Sequence, residues 1–177
     1  MRIRNRLDSR VMRARSLRTD KQSARDLRLP LWSRPGYLIR RLHQIHGALF
    51  LEECKASQLT PVQYGLLTAL AIRGALDQVS LSEELGLDRT TTAEVLSRLE
   101  ARGLVSRKPN PRDRRAKLAR ITQRGRSLTA AMFGAMQRAQ DRLCAPLTQK
   151  ERDVFMATLV RLIEANNEYG RGALRID

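Results

Sequence analysis

The chain has 177 residues, of which 42% are hydrophobic and only 4% aromatic, so one compact unit built mainly from packed helices is expected. The formal net charge of +16 calls for a polyanionic partner, either a nucleic acid or an anionic membrane surface. The sequence has no run of about 18 apolar residues and no apolar block behind its basic N-terminus. These absences argue against a transmembrane span and a secretory signal, and they predict a cytoplasmic protein with no membrane partner.

The positive charge is concentrated in two stretches of the chain. Residues 1–28 contain ten basic and three acidic residues, and residues 98–126 contain eleven basic and two acidic residues, so these stretches carry the whole net charge. This distribution indicates that the basic side chains serve particular surfaces rather than general solubility. The apolar residues of the first stretch are too scattered for a buried face, and residues 1–34 are predicted to form a basic N-terminal arm.

Two helices are predicted after this arm. The first runs from Gly36 to about Lys55, because apolar residues recur at helical spacing. The members of this stripe are Leu38, Leu42, Ile45 and Leu49. The second helix begins after Thr60, where threonine is a capping residue, Pro61 suits the first turn and Gln63 completes a capping box.

The next two helices are predicted to form a helix-turn-helix. A third helix opens with a capping box of Ser80 and Glu83 and ends at Gly86, whose missing side chain permits the left-handed cap. Asp88 is placed to cap a fourth helix that runs to about Arg102. Two helices joined across a tight glycine turn are typical of a DNA-binding helix-turn-helix.

A β-hairpin follows the fourth helix. Residues 104–107 and 118–121 are predicted strands, and the loop between them is rich in proline and basic side chains. Such a basic hairpin next to a helix-turn-helix is interpreted as a wing.

Two longer helices complete the chain. One is predicted to run from Thr122 to about Cys144, a length of about 33 Å, and the last begins with a capping box of Thr148 and Glu151. The terminal helices are longer than the small middle domain, so part of their apolar stripes would be left exposed unless another protein surface covers them. A second copy of the chain is the simplest one.

The motifs resemble the MarR (multiple antibiotic resistance regulator) family. Residues 81–88, followed by residues 99–105, are similar to the helix-turn-helix and the first wing strand of that family. Residues 110–115, followed by residues 118–125, resemble its wing signature, in which an Asp-x-Arg step precedes a Leu-x-x-Ile-Thr strand. Asn110 stands where the family usually has aspartate, a change that leaves the turn intact.

The predicted fold is mainly α with a small β-wing. A winged helix-turn-helix domain is expected at residues 58–122, and a helical dimerisation region at residues 35–57 and 123–177. The resemblance implies a homodimer built from the first, fifth and sixth helices, with the fourth helix in the major groove of double-stranded DNA. It also implies a ligand-released repressor of a palindromic operator, and no cofactor is predicted.

Candidate DNA-binding residues follow from the helix and the wing. On the fourth helix, the side chains that lie away from the apolar face are Arg89, Thr90, Thr91, Glu94, Arg98 and Arg102. Arg98 and Arg102 are assigned to phosphates, whereas Arg89, Thr91 and Glu94 are assigned to base edges. Capping of the first helical turn explains Thr90 and Thr91 equally well.

In the wing, the DNA-binding candidates are Arg112, Asp113, Arg114, Arg115 and Lys117. The resemblance implies that Arg115 enters the minor groove while the carboxylate of Asp113 holds it. A narrow minor groove attracts a guanidinium, which supports this assignment. The alternative is a surface ion pair of little energetic value.

Residues 34–46 resemble family members that sense aromatic acids or their coenzyme A thioesters. Members of the family often bind a small anionic effector between the dimer helices and the DNA-binding lobe, and then lose DNA affinity. The effector-binding candidates are Tyr37, Arg40, Arg41, His43 and His46. Charge-assisted hydrogen bonds would hold the anion. The alternative is that the arginines are solvated and that a histidine is hydrogen-bonded in the core.

The sequence also bears on three other functions. An enzyme is disfavoured because no catalytic triad, paired carboxylates or glycine-rich phosphate loop is present. A cysteine-based redox sensor would use Cys54 on the first helix, although Glu52 and Glu53 disfavour a thiolate there. Cys54 and Cys144 lack metal-ligand spacing and are expected to be reduced structural thiols, so no metal is predicted. A non-specific nucleoid or RNA-binding protein would explain the basic arm.

Overall fold

The computed structural model describes residues 30–111 and 116–170, so most of the predicted basic arm lies outside the described residues. The same holds for four of the predicted wing residues, Arg112, Asp113, Arg114 and Arg115. The chain divides into two compact units, residues 1–44 and residues 45–177. Each unit is described by itself.

The described part of the first unit begins with a single 3₁₀ turn at Leu31–Ser33. Both the backbone N–H and the hydroxyl of Ser33 donate to the carbonyl oxygen of Pro30, at 3.0 and 2.7 Å. Helix α1 then begins at Pro35 and extends through Pro35–Glu53 into the second unit. The first helix was therefore predicted correctly to within two residues at each end.

The second unit contains the remaining helices, which are α2 (Pro61–Arg73), α3 (Gln78–Leu85), α4 (Arg89–Ala101), α5 (Gln123–Cys144) and α6 (Gln149–Ala165). The predicted capping boxes of α2 and α6 are confirmed. Thr60 and Gln63 exchange two bonds of 3.2 and 3.0 Å, and each residue thereby satisfies a backbone N–H of the other. Thr148 and Glu151 do the same. Such caps stabilise a helix by about 1 kcal/mol each.

The predicted start of α3 is wrong. The helix begins at Gln78, and its cap is Asp77, whose Oδ1 accepts the backbone N–H of Ser80 at 2.8 Å. Ser80 is therefore the third residue of the helix and not its cap. Aspartate caps as well as serine does, and only the extended backbone of Asp77 (φ −80°, ψ 173°) distinguishes the two choices.

The turn between α3 and α4 is confirmed as a helix-turn-helix. Gly86 has a left-handed backbone (φ 61°), and the N–H of Leu87 donates to the carbonyl oxygen of Ser82 at 2.9 Å. Asp88 caps α4, because its Oδ1 accepts the N–H of Thr91 at 2.7 Å. The glycine and the aspartate thus fix the approach of the two helices.

The wing belongs to a three-stranded antiparallel sheet with the order β1-β3-β2. Strands β2 (Val105–Pro109) and β3 (Lys117–Ile121) form the predicted hairpin. Strand β1 (Leu76–Asp77) was not predicted, because two residues are too short for a periodic signal. Leu76 pairs with Ala119 and brings the start of α3 to the edge of the wing.

Leucines from α2, α3 and α4 form the most deeply buried part of the core of the second unit. The fully buried leucines of these helices are Leu66, Leu67, Leu70, Leu81, Leu96 and Leu99. Leu104, which precedes β2, is fully buried as well. Burial of each contributes about 1.5–3 kcal/mol relative to exposure. Among the described helices, none is long and apolar enough to cross a membrane.

The end of α1 is held to α5 by a pair of arginines. Arg138 Nε donates to Glu53 Oε2 at 2.9 Å, and Arg142 Nη1 donates to Glu53 Oε1 at 2.8 Å. The hydrogen bonds from Arg142 and then from Arg138 lower the pKa of Glu53. The carboxylate therefore remains ionised at neutral pH and fixes the wall that α1 contributes to the groove described below.

Candidate DNA interface and effector groove

Helix α4 presents one face to the core and the opposite face to solvent. Its buried residues are Thr92, Val95, Leu96 and Leu99. The predicted DNA-binding side chains that are exposed are Arg89, Thr90, Glu94 and Arg98. Ser97 is also exposed on this face and was missed, although its position three residues after Glu94 indicates the same surface.

Thr91 is half-buried, and both its backbone and its side chain take part in the cap that Asp88 forms. Its hydroxyl donates to Asp88 Oδ2 at 2.8 Å, while its backbone N–H donates to Asp88 Oδ1. The capping interpretation of Thr91 is therefore confirmed. Since the hydroxyl hydrogen is used by Asp88, only the oxygen lone pairs of Thr91 are left to accept from a base.

Arg98 makes a weak local contact. Its Nη2 lies 3.4 Å from Glu94 Oε2, and the two side chains are 67% and 61% exposed. An ion pair this exposed stabilises a protein by less than about 1 kcal/mol. The guanidinium of Arg98 can therefore exchange this partner for a phosphate at small cost.

Arg102 differs from Arg98 in its surroundings. Its Nη1 donates to the carbonyl oxygen of Gln58 at 2.9 Å, and its Nη2 donates to that of Ser57 at 3.0 Å. The guanidinium thus faces the protein backbone. This geometry disfavours the phosphate contact that was predicted for Arg102.

The wing is fastened to the end of α4 by Glu100 and Arg107. The backbone N–H of Arg107 donates to Glu100 Oε1 at 3.2 Å, and its Nε donates to Glu100 Oε2 at 2.7 Å. These bonds to Arg107 lower the pKa of Glu100. Because Glu100 neutralises Arg107, the charge left for DNA on the strands is carried by exposed lysines and one arginine, Lys108, Lys117 and Arg120. Of these, only Lys117 was assigned from the sequence.

A groove runs between α2 and α5, and it consists of two adjoining pockets of about 400 and 590 Å³. Tyr64, Thr68 and Ile72 line both pockets. Small-molecule sites have volumes of this size and mostly apolar walls with few polar groups. The polar side chains that line the groove besides Tyr64 and Thr68 are His46, Glu84, Gln140, Arg126 and Thr129.

The predicted effector residues are divided between the two units. His46 is in the second unit and lines the smaller pocket of the groove. In the first unit, the Arg40 guanidinium lies 5.7 Å from the centre of the Tyr37 ring, and Arg41 Nη1 donates to Gln44 at 3.3 Å. His43, also in the first unit, is exposed.

Arg126 lines the larger pocket but was not among the predicted effector residues. It lies in the first turns of α5, within the basic stretch of residues 98–126. The charge count indicates only that this stretch serves a particular surface, and it does not distinguish Arg126 from its basic neighbours. The sequence signal that would have identified Arg126 as a groove residue is its helical spacing from Thr129 and Ala130, which line the same pocket.

Comparison with known proteins identifies the family. A model described as the MarR family matches residues 59–117. The chain is 30% identical to the HTH-type transcriptional repressor NicR of Pseudomonas putida over 135 residues, which cover 76% of this chain and 85% of NicR. The chain belongs to the MarR family.

Two solved structures of MarR-family regulators are similar to this chain. PcaV from Streptomyces coelicolor, in complex with its natural ligand, is 36% identical with a TM-score of 0.71, over 77% of this chain and 96% of PcaV. BpsR from Bordetella bronchiseptica, whose DNA binding is regulated by 6-hydroxynicotinic acid, is 31% identical with a TM-score of 0.70, over 73% of this chain and 92% of BpsR. This MarR-family chain is accordingly a transcriptional regulator with a winged-helix DNA-binding fold, and its relatives are regulators rather than enzymes.

The cysteines of this MarR-family chain do not favour redox sensing. The prediction that Cys54 lies on α1 is wrong, because Cys54 follows the last residue of that helix. Its side chain is buried, with only 4% exposed. Burial, followed by the negative charge of Glu53, raises the pKa of the Cys54 thiol. Both cysteines lie in the described part of the chain, and both are free. A buried thiol with a raised pKa is a poor nucleophile toward peroxide.

Proposed function

We propose that this regulator is a repressor that binds a palindromic operator as a homodimer and leaves it when a small aromatic acid binds. The observation that carries the proposal is the division of α4 into a buried face and an exposed face that carries two arginines and a glutamate. A helix held in this way by a helix-turn-helix is suited to the major groove.

The homodimer is supported by the surface of α6. Every residue of α6 is described, and none is buried. Its large apolar side chains that are about half exposed are Val154, Met156, Leu162 and Ile163. A two-fold partner would cover this surface and would present two copies of α4, as a palindrome with half-sites about 34 Å apart requires.

Within the DNA interface, Arg98 is proposed to bind a phosphate and Arg89, at the start of α4, to reach a base edge. Arginine reads guanine through two acceptors in the major groove. Thr90, Thr91 and Glu94 remain secondary candidates for base edges. The wing-tip roles of Arg112, Asp113, Arg114 and Arg115 rest on the family resemblance.

Replacement of Arg89 by alanine is expected to relax sequence preference. A palindromic duplex is first selected from a random library with the wild-type protein, which should prefer it to random DNA by about 10³-fold or more. Loss of a bidentate base contact should lower that preference by about tenfold or more. The measurement is a competition titration with labelled duplex and unlabelled random DNA.

The control for this titration is Lys150→Ala, which removes an exposed cation near the start of α6. It should keep the wild-type preference. A wild-type protein with no preference for any selected duplex would contradict the operator proposal. An unchanged preference in Arg89→Ala would contradict only the role of Arg89.

The effector is proposed to be an aromatic acid, or its coenzyme A thioester, in the groove between α2 and α5. The groove offers ring-sized apolar walls, including Tyr64 and Phe133, and one cationic side chain, Arg126, lines its larger pocket. A guanidinium pairs strongly with a carboxylate where water is partly excluded. BpsR, whose DNA binding responds to 6-hydroxynicotinic acid, shows that an aromatic acid regulates one similar protein.

Aromatic acids that bind the groove are expected to raise the unfolding temperature. A ligand present at about 100 times its dissociation constant stabilises the folded protein by roughly 2.7 kcal/mol. Arg126→Gln should abolish most of the shift, because the carboxylate loses its cation. The measurement is a thermal-shift screen of benzoic, hydroxybenzoic and hydroxynicotinic acids, followed by DNA release with the acids that shift the protein.

Arg124→Gln is the matched control for the thermal-shift screen. Arg124 is exposed and lies two residues earlier on α5, but it does not line the groove. Its variant should keep the full shift. The effector proposal would be wrong if no acid shifted the wild type, and the groove would be the wrong place if Arg126→Gln responded as the wild type does.

A further inference from the structure

The carboxyl end of α4 is tied to the turn between α1 and α2. Arg102, the residue after α4, donates from Nη1 to Gln58 and from Nη2 to Ser57, in both cases to the backbone carbonyl oxygen. The two acceptors lie 44 and 45 residues earlier in the chain. Two parallel bonds from one planar guanidinium fix an angle as well as a distance.

The turn that accepts these bonds is itself well ordered by short hydrogen bonds. Ser57 is 8% exposed, and its hydroxyl donates to the carbonyl oxygen of Cys54 at 2.7 Å and accepts the N–H of Leu59 at 3.2 Å. Gln58 has a left-handed backbone with φ 53°, the only such non-glycine residue among those described. A left-handed glutamine costs roughly 1 kcal/mol or more and persists where the surrounding contacts over-determine it. Arg102 supplies two of these contacts.

We propose that Arg102 is a positioning residue for operator recognition and not a phosphate ligand. It holds the carboxyl end of α4 against the Ser57–Gln58 turn, so that the exposed face of α4 meets DNA at one fixed angle. The inference rests on the proposed insertion of α4 into the major groove. It assigns opposite roles to two arginines that lie one helical turn apart, Arg98 at the exposed face and Arg102 at the backbone carbonyls.

The two roles predict different salt dependences. A side chain that neutralises a phosphate releases a counterion, so its loss lowers the slope of log Kd against log salt by about 0.9. A side chain that only positions the helix changes Kd but leaves the number of neutralised phosphates, and hence the slope, unchanged. Lysine distinguishes the roles a second time, because it keeps the charge but cannot offer a planar pair of donors.

The experiment measures Kd for the selected duplex over a sodium chloride series, by fluorescence anisotropy, with the full chain. The variants are Arg102→Gln, Arg102→Lys, Arg98→Gln and Arg98→Lys. Both Arg102 variants are expected to bind about tenfold more weakly than wild type with an unchanged slope. Arg98→Gln removes one phosphate contact from each of the two protomers and is expected to lose about 1.8 of the slope, whereas Arg98→Lys keeps it.

Three results would overturn the inference. One is a reduced slope in Arg102→Gln that Arg102→Lys restores, since this would make Arg102 a phosphate ligand. Another is wild-type affinity in both Arg102 variants. If Arg102→Gln is unfolded by circular dichroism, Arg102→Lys, which keeps the charge and the aliphatic stem, decides the question alone. A wild-type protein that does not bind duplex DNA would refute the proposed function, and the inference would fall with it.

Discussion

Gly125→Ala is expected to lower the free energy of unfolding by about 3 kcal/mol. Gly125 lies in the first turn of α5, where an added Cβ would overlap the carbonyl oxygen of Leu104 and lie 2.8 Å from Ile121 Cγ1. The backbone cannot easily retreat, because the same carbonyl oxygen of Leu104 accepts the N–H of Thr122 at 3.0 Å. The measurement is urea unfolding followed by circular dichroism at one fixed protein concentration, since an oligomer unfolds in a concentration-dependent way.

Gly134→Ala is the matched control on the same helix. Gly134 is exposed, and the nearest atom to an added Cβ is the end of the flexible Arg138 side chain at 3.7 Å. Alanine is favoured over glycine inside a helix, so this variant should gain about 0.5–1 kcal/mol. If Gly125→Ala were as stable as the wild type, the close approach of α5 to Leu104 would not exist in solution.

Operator binding is expected to weaken by about 10³-fold or more when sodium chloride rises from about 50 to about 200 mM, given six or more phosphate contacts per dimer. The reason is that the exposed charge on the proposed interface, apart from that of Glu94, is cationic. Its described members, other than the ion-paired Arg107 and the carbonyl-bound Arg102, are Arg89, Arg98, Lys108, Lys117 and Arg120. The measurement is the Kd of the selected duplex at several salt concentrations.

Two controls accompany this titration. The unfolding midpoint is measured in the same buffers, and it should change little, so that lost binding is not lost folding. The double variant Lys108→Gln and Lys117→Gln should reduce the salt slope by up to about 3.6, because it removes two cations from the wing strands of each protomer, four in the dimer. A Kd indifferent to salt would mean that phosphates are not what the protein contacts.

The elements that the sequence predicted well are those with local signals. The capping residues Gly86, Asp88 and the Thr60–Gln63 box lie within a few residues of the helix ends that they define. Their capping roles can therefore be predicted from the local sequence alone. The same holds for the hairpin, whose alternating strands flank a proline-rich loop. The family resemblance rested on these same local motifs.

The features that were missed depend on contacts between distant residues. Asp77 competes with Ser80 as a cap, and it wins because its backbone is extended in the short strand β1, which pairs with β3 more than 40 residues later. Arg102 was assigned to phosphate because its two carbonyl partners are far away in the sequence. Local periodicity carries no information on either pairing.

The effector residues were predicted only in part, for a related reason. A groove is formed by the faces of several helices, and its lining cannot be obtained from the composition of one segment. His46 was included because it belongs to a segment that resembles ligand-sensing relatives. Arg126 was missed because the charge count does not distinguish it from the basic residues around it.

The packing around Leu104 anchors the start of α5 at the junction of α4 and the wing. Thr122, which caps α5, donates from its hydroxyl to the carbonyl oxygen of Gly103 and from its N–H to that of Leu104. Helix α5 therefore begins beside the end of α4 and the start of the wing. A helix of 22 residues is about 33 Å long, and a rotation of about 5° at this anchor displaces its far end by about 3 Å. In a two-fold assembly, a small change of angle at the start of each α5 would therefore alter the distance between the two copies of α4 by several ångströms.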